Sequence, residues 1–204
     1  MKKGICLGSI PGANFGEKFK FAKEAGFQGI EIGPLQTEEE RKNYKDAAEE
    51  VGIELHSVMN SVHWGLPLSD PKPDVRAKSV DGLVTSIKTA NAVGADTVLL
   101  VPAVVKKDVP YDVAYERSQI EIKKVIETAK EHNVVVCIEN VWNNFLLSPL
   151  EFARYIDEFD TEQLQAYFDV GNIIVYGWPE HWIKILGKRL KKVHVLSLIH
   201  ISEP

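Results

Sequence analysis

The chain has 204 residues, 45% of them hydrophobic and 26% charged, and a net charge of −5. That balance suits one globular domain with a large core; an acidic chain does not favour nucleic acid or an anionic membrane as partner, and no apolar run approaches the roughly 20 residues of a membrane span. Met1-Lys2-Lys3 leads straight into an apolar strand, so no signal peptide and a cytoplasmic location are expected, with Cys6 and Cys137 as free buried thiols.

Short β-branched runs alternate with helical patterns along the chain. The first strand is GICLGSI from Gly4, followed by a helix around 16–25 that ends at Gly26. GIEIG from Gly29 comes next, then a helix over 37–51 opened by the capping-box pair Thr37 and Glu40 and closed by Gly52. ELHSVMN from Glu54 is the third strand; a long irregular loop from Asn60 to Pro73 separates it from a helix over 74–93, which ends at Gly94. TVLLVPA from Thr97, a helix over 112–132 and VVVCIEN from Val134 continue the alternation. Ser148-Pro149-Leu150-Glu151 starts a helix over 149–159, with proline where its missing N–H costs nothing. LQAYFDVGN from Leu164, a helix over 179–190 and KKVHV from Lys191 complete the pattern.

Seven strands and six helices in strict alternation predict a parallel sheet with right-handed crossovers. The rival is a doubly wound open sheet, but the loop GSIPGANFG lacks the G-x-G-x-x-G spacing of a dinucleotide site. Polar residues at strand ends spread across the whole order suit a barrel mouth better than one crevice. The expected fold is α/β, a (β/α)8 TIM barrel of which the last βα units are missing here.

Three strands of the second half each run into a residue that metals favour: Glu139, Asp169 and His194. Carboxylates suit a hard divalent cation, and one imidazole shifts the preference toward transition metals such as Mn2+. Glu139 shares strand parity with Val135 and Cys137, so all three are expected to point inward. Each ligand reading has a plainer rival: a solvated strand-end acid for Glu139, an Asx-type turn residue for Asp169 in FDVGN, and a packed strand histidine for His194.

His63 and Trp64 lie in the loop from Asn60 to Pro73, which would cover a barrel mouth. Trp64, and Trp142 just past Glu139, suit either stacking on a sugar face or clamping their own loops. His56, grouped by parity with Val58 and Asn60, reads as a core histidine or one that supports a ligand, and Glu31 is a weaker candidate than any of these. His132 at a helix end and His181 near a helix start need no function.

The segments GFQGIEIG, HSVMNSVHWGLPLSDPKPDVRAKSV, GADTVLLVP, IENVWNNFLLSPLEF and FDVGNIIVYGWPEHWIKILGKRLKKVHV resemble the xylose isomerase-like barrels, in particular their sugar-phosphate isomerase/epimerase branch. The resemblance implies one divalent metal, Mn2+ or alternatively Mg2+, Co2+ or Zn2+, held by Glu, Asp, His and a further Glu. Glu139, Asp169 and His194 match the first three; the fourth, on an eighth strand, has no counterpart, and no helix separates Glu203 from the seventh strand. It also implies a sugar or sugar-phosphate substrate, proton transfer beside its carbonyl through an enediolate, and Glu139 as one base; for such a substrate, His63, Trp64, Trp142 and His56 are the contacts expected from their loop and strand positions.

The match departs at Leu196, where LSLIHISEP replaces the Lys-Asp pair common in relatives. Residues 1–195 are therefore expected to form the barrel domain and 196–204 a non-native tail, with the native protein longer by about 70–80 residues. Two further readings stand beside the epimerase: an inactive barrel fragment, and a metal-dependent abasic-site endonuclease, which the acidic charge and scarce strand-end histidines disfavour. A homo-oligomer is compatible with either enzyme.

Overall fold

The computed structural model describes residues 2–195. Its seven strands are β1 (Gly4–Cys6), β2 (Gly29–Ile32), β3 (Glu54–Met59), β4 (Thr97–Leu100), β5 (Val135–Glu139), β6 (Leu164–Asp169) and β7 (Leu190–His194). All neighbours pair in parallel, and their order across the sheet is their order in the chain. A doubly wound sheet reverses its order at a switch point; an unbroken sequential order is that of a barrel wall. The sheet also curls, because His194 on β7 reaches Glu31 on β2 and Lys192 reaches His56 on β3. The fold is a TIM-barrel wall, a curled half-barrel of seven parallel strands among the described residues. The segment 196–204, expected to be a non-native tail, lies outside them.

The helices are α1 (Phe15–Glu24), α2 (Glu38–Val51), α3 (Pro73–Val93), α4 (Tyr111–Lys123), α5 (Ile126–Glu131), α6 (Pro149–Asp157), α7 (Val170–Ile174) and α8 (Pro179–Leu186). Local chemistry sets many of their ends. Thr37 and Glu40 form the reciprocal capping box at the start of α2, and Gly52 ends that helix at φ 72°. Ser148 caps α6 through the Glu151 N–H, but the Glu151 carboxylate turns to Leu147 N and Tyr111 instead of completing the box. No helix among the described residues is long and apolar enough to cross a membrane.

Strand alternation divides the side chains into two layers. Val98, Leu100, Val136, Ile138 and Phe168 join the large core beneath the helices, where Phe168 stacks on Trp182 of α8 at 6.0 Å. Leu99, Cys137 and Tyr167 form a small cluster with Val135 packed against it, on the opposite, inner face. Each buried aliphatic or aromatic side chain contributes roughly 1.5–3 kcal/mol, so the far larger outer core carries the stability. The inner face is left free for polar groups.

Several segments depart from the sequence reading. The first strand stops at Cys6 because the chain turns into a 3-10 turn, Leu7–Ser9, closed by Ile10 N–H to Leu7 O, and Pro11 has no N–H for a ladder. The helix expected over 112–132 divides at Lys124-Val125, whose N–H groups bond three residues back. The one expected over 179–190 gives way after Leu186 to a 3-10 turn, Gly187–Arg189. Beyond Asp169, the segment FDVGN forms the short, unanticipated α7, with Gly171 inside it.

Candidate active site

Glu139, Asp169 and His194 are the last residues of β5, β6 and β7, and Asp169 pairs directly with His194 in the ladder. Their ligand atoms all lie within 4.8 Å of one another. His194 Nδ1 stands 2.7 Å from Glu139 Oε1, and the Tyr167 ring packs on the flank of the imidazole at 4.4 Å. Asp169 is fully buried; its Oδ1 accepts the Asn172 N–H at 2.9 Å, capping α7, while Oδ2 has no hydrogen-bond partner among the described residues. The turn-residue reading of Asp169 and its convergence with the other two are therefore both realised in one side chain.

A clamp fixes the two carboxylates relative to each other. The Asn140 side chain accepts the Asp169 N–H and donates to the Asp169 carbonyl, both at 2.8 Å, tying the end of β5 to the end of β6. Asn172 donates back to the Asn140 carbonyl at 3.0 Å. Neither asparagine stands out in the sequence, since an amide after a strand is ordinary loop chemistry.

Glu31, weighted least in the sequence, belongs to this cluster. It is 3% exposed on the inner face of β2, with Oε1 3.3 Å from His194 Nε2 and 3.4 Å from Cys6 Sγ. Cys6 is thus half-buried beside polar groups, not sealed in an apolar strand as expected, whereas Cys137 is buried. Glu31, Cys6 and His194 line a cavity of about 930 Å³ that continues along the inner face to His56 and Lys192.

Electrostatics follow from this crowding. Burial raises the Glu139 carboxyl, against the hydrogen bond and charge of His194, and burial likewise raises Asp169. Burial also opposes the charge of Glu31, but the hydrogen bond and charge of His194 prevail and hold it below the usual carboxylate range. Burial would lower His194, yet Cys6, Glu139 and Glu31 together push it up to about 12. Three carboxylates against one imidazolium leave excess negative charge in a buried site, which is costly without a counter-charge. Two carboxylates and an imidazole around an unpartnered buried oxygen are a donor set that fits one divalent cation.

The other expected contacts divide. Trp142 lies at the rim, 49% exposed, with its Nε1–H bonded to Asn172 O at 3.1 Å, so its ring is anchored to the segment that starts at Asp169. Trp64 is 54% exposed and meets His63 edge to face at 5.6 Å. His63 itself is buried, and burial lowers it to about 4. His56 is not grouped with Val58 and Asn60. The β2–β3 register skips His56, a bulge that puts it on the inner face with Ser57 while Val58 joins the helix-side core and Asn60 binds Ser86 of α3. His56 there faces Gly4 and Gly29, and the Lys192 ammonium donates to its carbonyl and bonds Asp96 at 2.9 Å. It sits toward the starts of the strands, away from the mouth where a substrate contact was expected.

Residues 19–198 match the pattern of the xylose isomerase-like TIM barrel. Over 189 residues the chain is 25% identical to the L-ribulose-5-phosphate 3-epimerase UlaE of Escherichia coli O1:K1 / APEC, an alignment that covers 83% of this chain and 64% of that protein. The chain thus spans less than two thirds of the length of this curated relative. Among solved structures, the 3-keto-D-glucoside 4-epimerase YcjR from E. coli is similar with a TM-score of 0.84 at 18% identity, over 97% of this chain and 79% of that one. D-psicose 3-epimerase with D-tagatose from Clostridium cellulolyticum H10 gives 0.82 at 19%, over 96% and 73%. At such identities these structures establish a shared fold.

Proposed function

The chain belongs to the xylose isomerase-like TIM barrel family, and we propose that it acts as a metal-dependent epimerase or isomerase of a sugar or sugar phosphate. The observation that carries this reading is the convergence of Glu139, Asp169 and His194 at three successive strand ends, with the buried Asp169 Oδ2 unpartnered. The relatives point the same way, since the curated one is named for epimerising a ketose phosphate.

Glu139, Asp169 and His194 would hold the cation, Mn2+ ahead of Mg2+, Co2+ or Zn2+. When bound, it supplies Lewis-acid polarisation of a carbonyl and a neighbouring hydroxyl. Glu139 takes or returns the proton on the carbon beside that carbonyl. In the metal-free site burial raises its carboxyl, against the hydrogen bond and charge of His194. Asp169, clamped through its own backbone, holds its position while this happens. The exposed face of Trp142, fixed by its indole N–H, offers a platform for the apolar face of a sugar, and Trp64 a second one.

The test is deuterium uptake by a ketose, D-psicose or L-ribulose, incubated in D2O with the chain and Mn2+. Exchange at the carbon beside the carbonyl is expected, with loss of more than about a hundredfold in Glu139→Gln. Exchange that persists at the parental rate in Glu139→Gln, or in exhaustive chelator, refutes the assignment.

A further inference from the structure

Imidazole has two nitrogens, and what one binds decides what the other presents. His194 Nδ1 faces Glu139 and Asp169; for it to offer a lone pair there, the ring proton must sit on Nε2. Glu31 Oε1 faces Nε2 at 3.3 Å. The remaining neighbours orient the ring poorly. The Cys6 thiol is a weak donor that itself bonds Glu31, and Tyr167 restrains the ring by packing alone. Glu31 comes from a strand 163 positions away in the chain and meets His194 only because the sheet curls.

The position of Glu31 is otherwise hard to account for. All four residues of β2 are buried, and a carboxylate in such a strand is costly compared with the isoleucines on either side of it. Its Oε2 makes no hydrogen bond among the described residues, so backbone or loop anchoring does not explain it. Its polar contacts are the ion-pair approach of His194 Nε2 at 3.3 Å and the Cys6 thiol at 3.4 Å, with the Ser57 and Tyr167 hydroxyls also helping to hold its carboxyl down.

We propose that Glu31 is the positioning residue of the metal centre: by accepting the His194 Nε2–H it aims Nδ1 toward Glu139 and Asp169, where a bound cation would take the Nδ1 lone pair in place of its proton. This rests on reading His194 as a ligand. A carboxylate behind a ligating histidine fixes the tautomer and orientation of the ring and raises its basicity, and its loss costs about 10–100-fold in metal affinity.

The experiment uses the 204-residue chain labelled with 15N-histidine, as parent, Glu31→Gln and Glu31→Ala, each checked for folding by circular dichroism. Without metal, the His194 Nε2–H should exchange slowly with solvent in the parent and at least about tenfold faster in Glu31→Ala. Titration with Mn2+ alone should show affinity about 10–100-fold weaker in Glu31→Ala, partly recovered in Glu31→Gln, which keeps the volume and one acceptor. Parental affinity in both folded variants overturns the proposal. So does weakened affinity with unchanged Nε2–H exchange, because the effect would then be structural and not through His194. If the parent takes up no Mn2+, the metal reading falls, and the Nε2–H exchange still decides whether Glu31 orients the ring.

Discussion

Asn140 offers the most direct test of how the fold sets the site. Its buried amide serves both the N–H and the C=O of Asp169 at 2.8 Å, which is the pairing a neighbouring strand would provide. Asn140→Ala leaves two buried backbone groups without partners, each costing about 1–3 kcal/mol, or roughly 2–6 kcal/mol together. Against a typical total stability of about 5–15 kcal/mol, that loss is large. With a urea slope of about 2 kcal/mol/M, the unfolding midpoint should fall by about 1–3 M at unchanged slope. Asn140→Asp keeps the acceptor for the Asp169 N–H but cannot donate while ionised, and it adds a carboxylate beside Glu139 and Asp169. It should be at least as damaged at pH 7 and should recover partly in acid, where the protonated side chain donates again. Because the clamp sets the spacing of the two carboxylates, Mn2+ affinity should drop in both variants. A midpoint shift worth less than about 0.5 kcal/mol in Asn140→Ala, or parental Mn2+ affinity in that variant, refutes the reasoning.

His63 is buried neutral, lowered from 6.5 to about 4, so between those values the unfolded chain binds more protons than the folded one. Stability should therefore fall as pH drops through that window, by up to about 3 kcal/mol; urea unfolding at pH 6.5 and 4.5 should show a smaller difference in His63→Leu, and an identical difference would count against the burial argument. A Cβ at Gly29 would approach the His56 ring to 2.7 Å, so Gly29→Ala should cost about 1–3 kcal/mol alone and much less in a His56→Ala background, a coupling that a double-mutant cycle reads directly. Ketose binding should quench tryptophan fluorescence in the parent, and the quench should disappear in Trp142→Ala or Trp64→Ala; unaltered binding in both would make these rings packing residues only.

Much of this protein was legible in its sequence because it is encoded locally. The order of strands and helices, the Thr37–Glu40 capping box and the glycines at 26, 52 and 94 depend on neighbours a few residues apart, and they appear where the sequence puts them, although several element ends do not. The strict alternation of strands and helices was enough for the barrel wall, and Glu139, Asp169 and His194 declared themselves as polar ends to apolar strands. What alternation could not show is where it breaks. One bulge carries His56 onto the inner face, and another, at Lys191, lets both Lys191 and Lys192 grip Asp96. Nor could it show Glu31 beside His194, or the Asn140 amide standing in for a strand. These contacts depend on curl accumulated over seven strands, which brings β7 across the interior to β2 and β3. No window of neighbouring residues contains that distance, because strand twist and register shifts add up only in the assembled sheet.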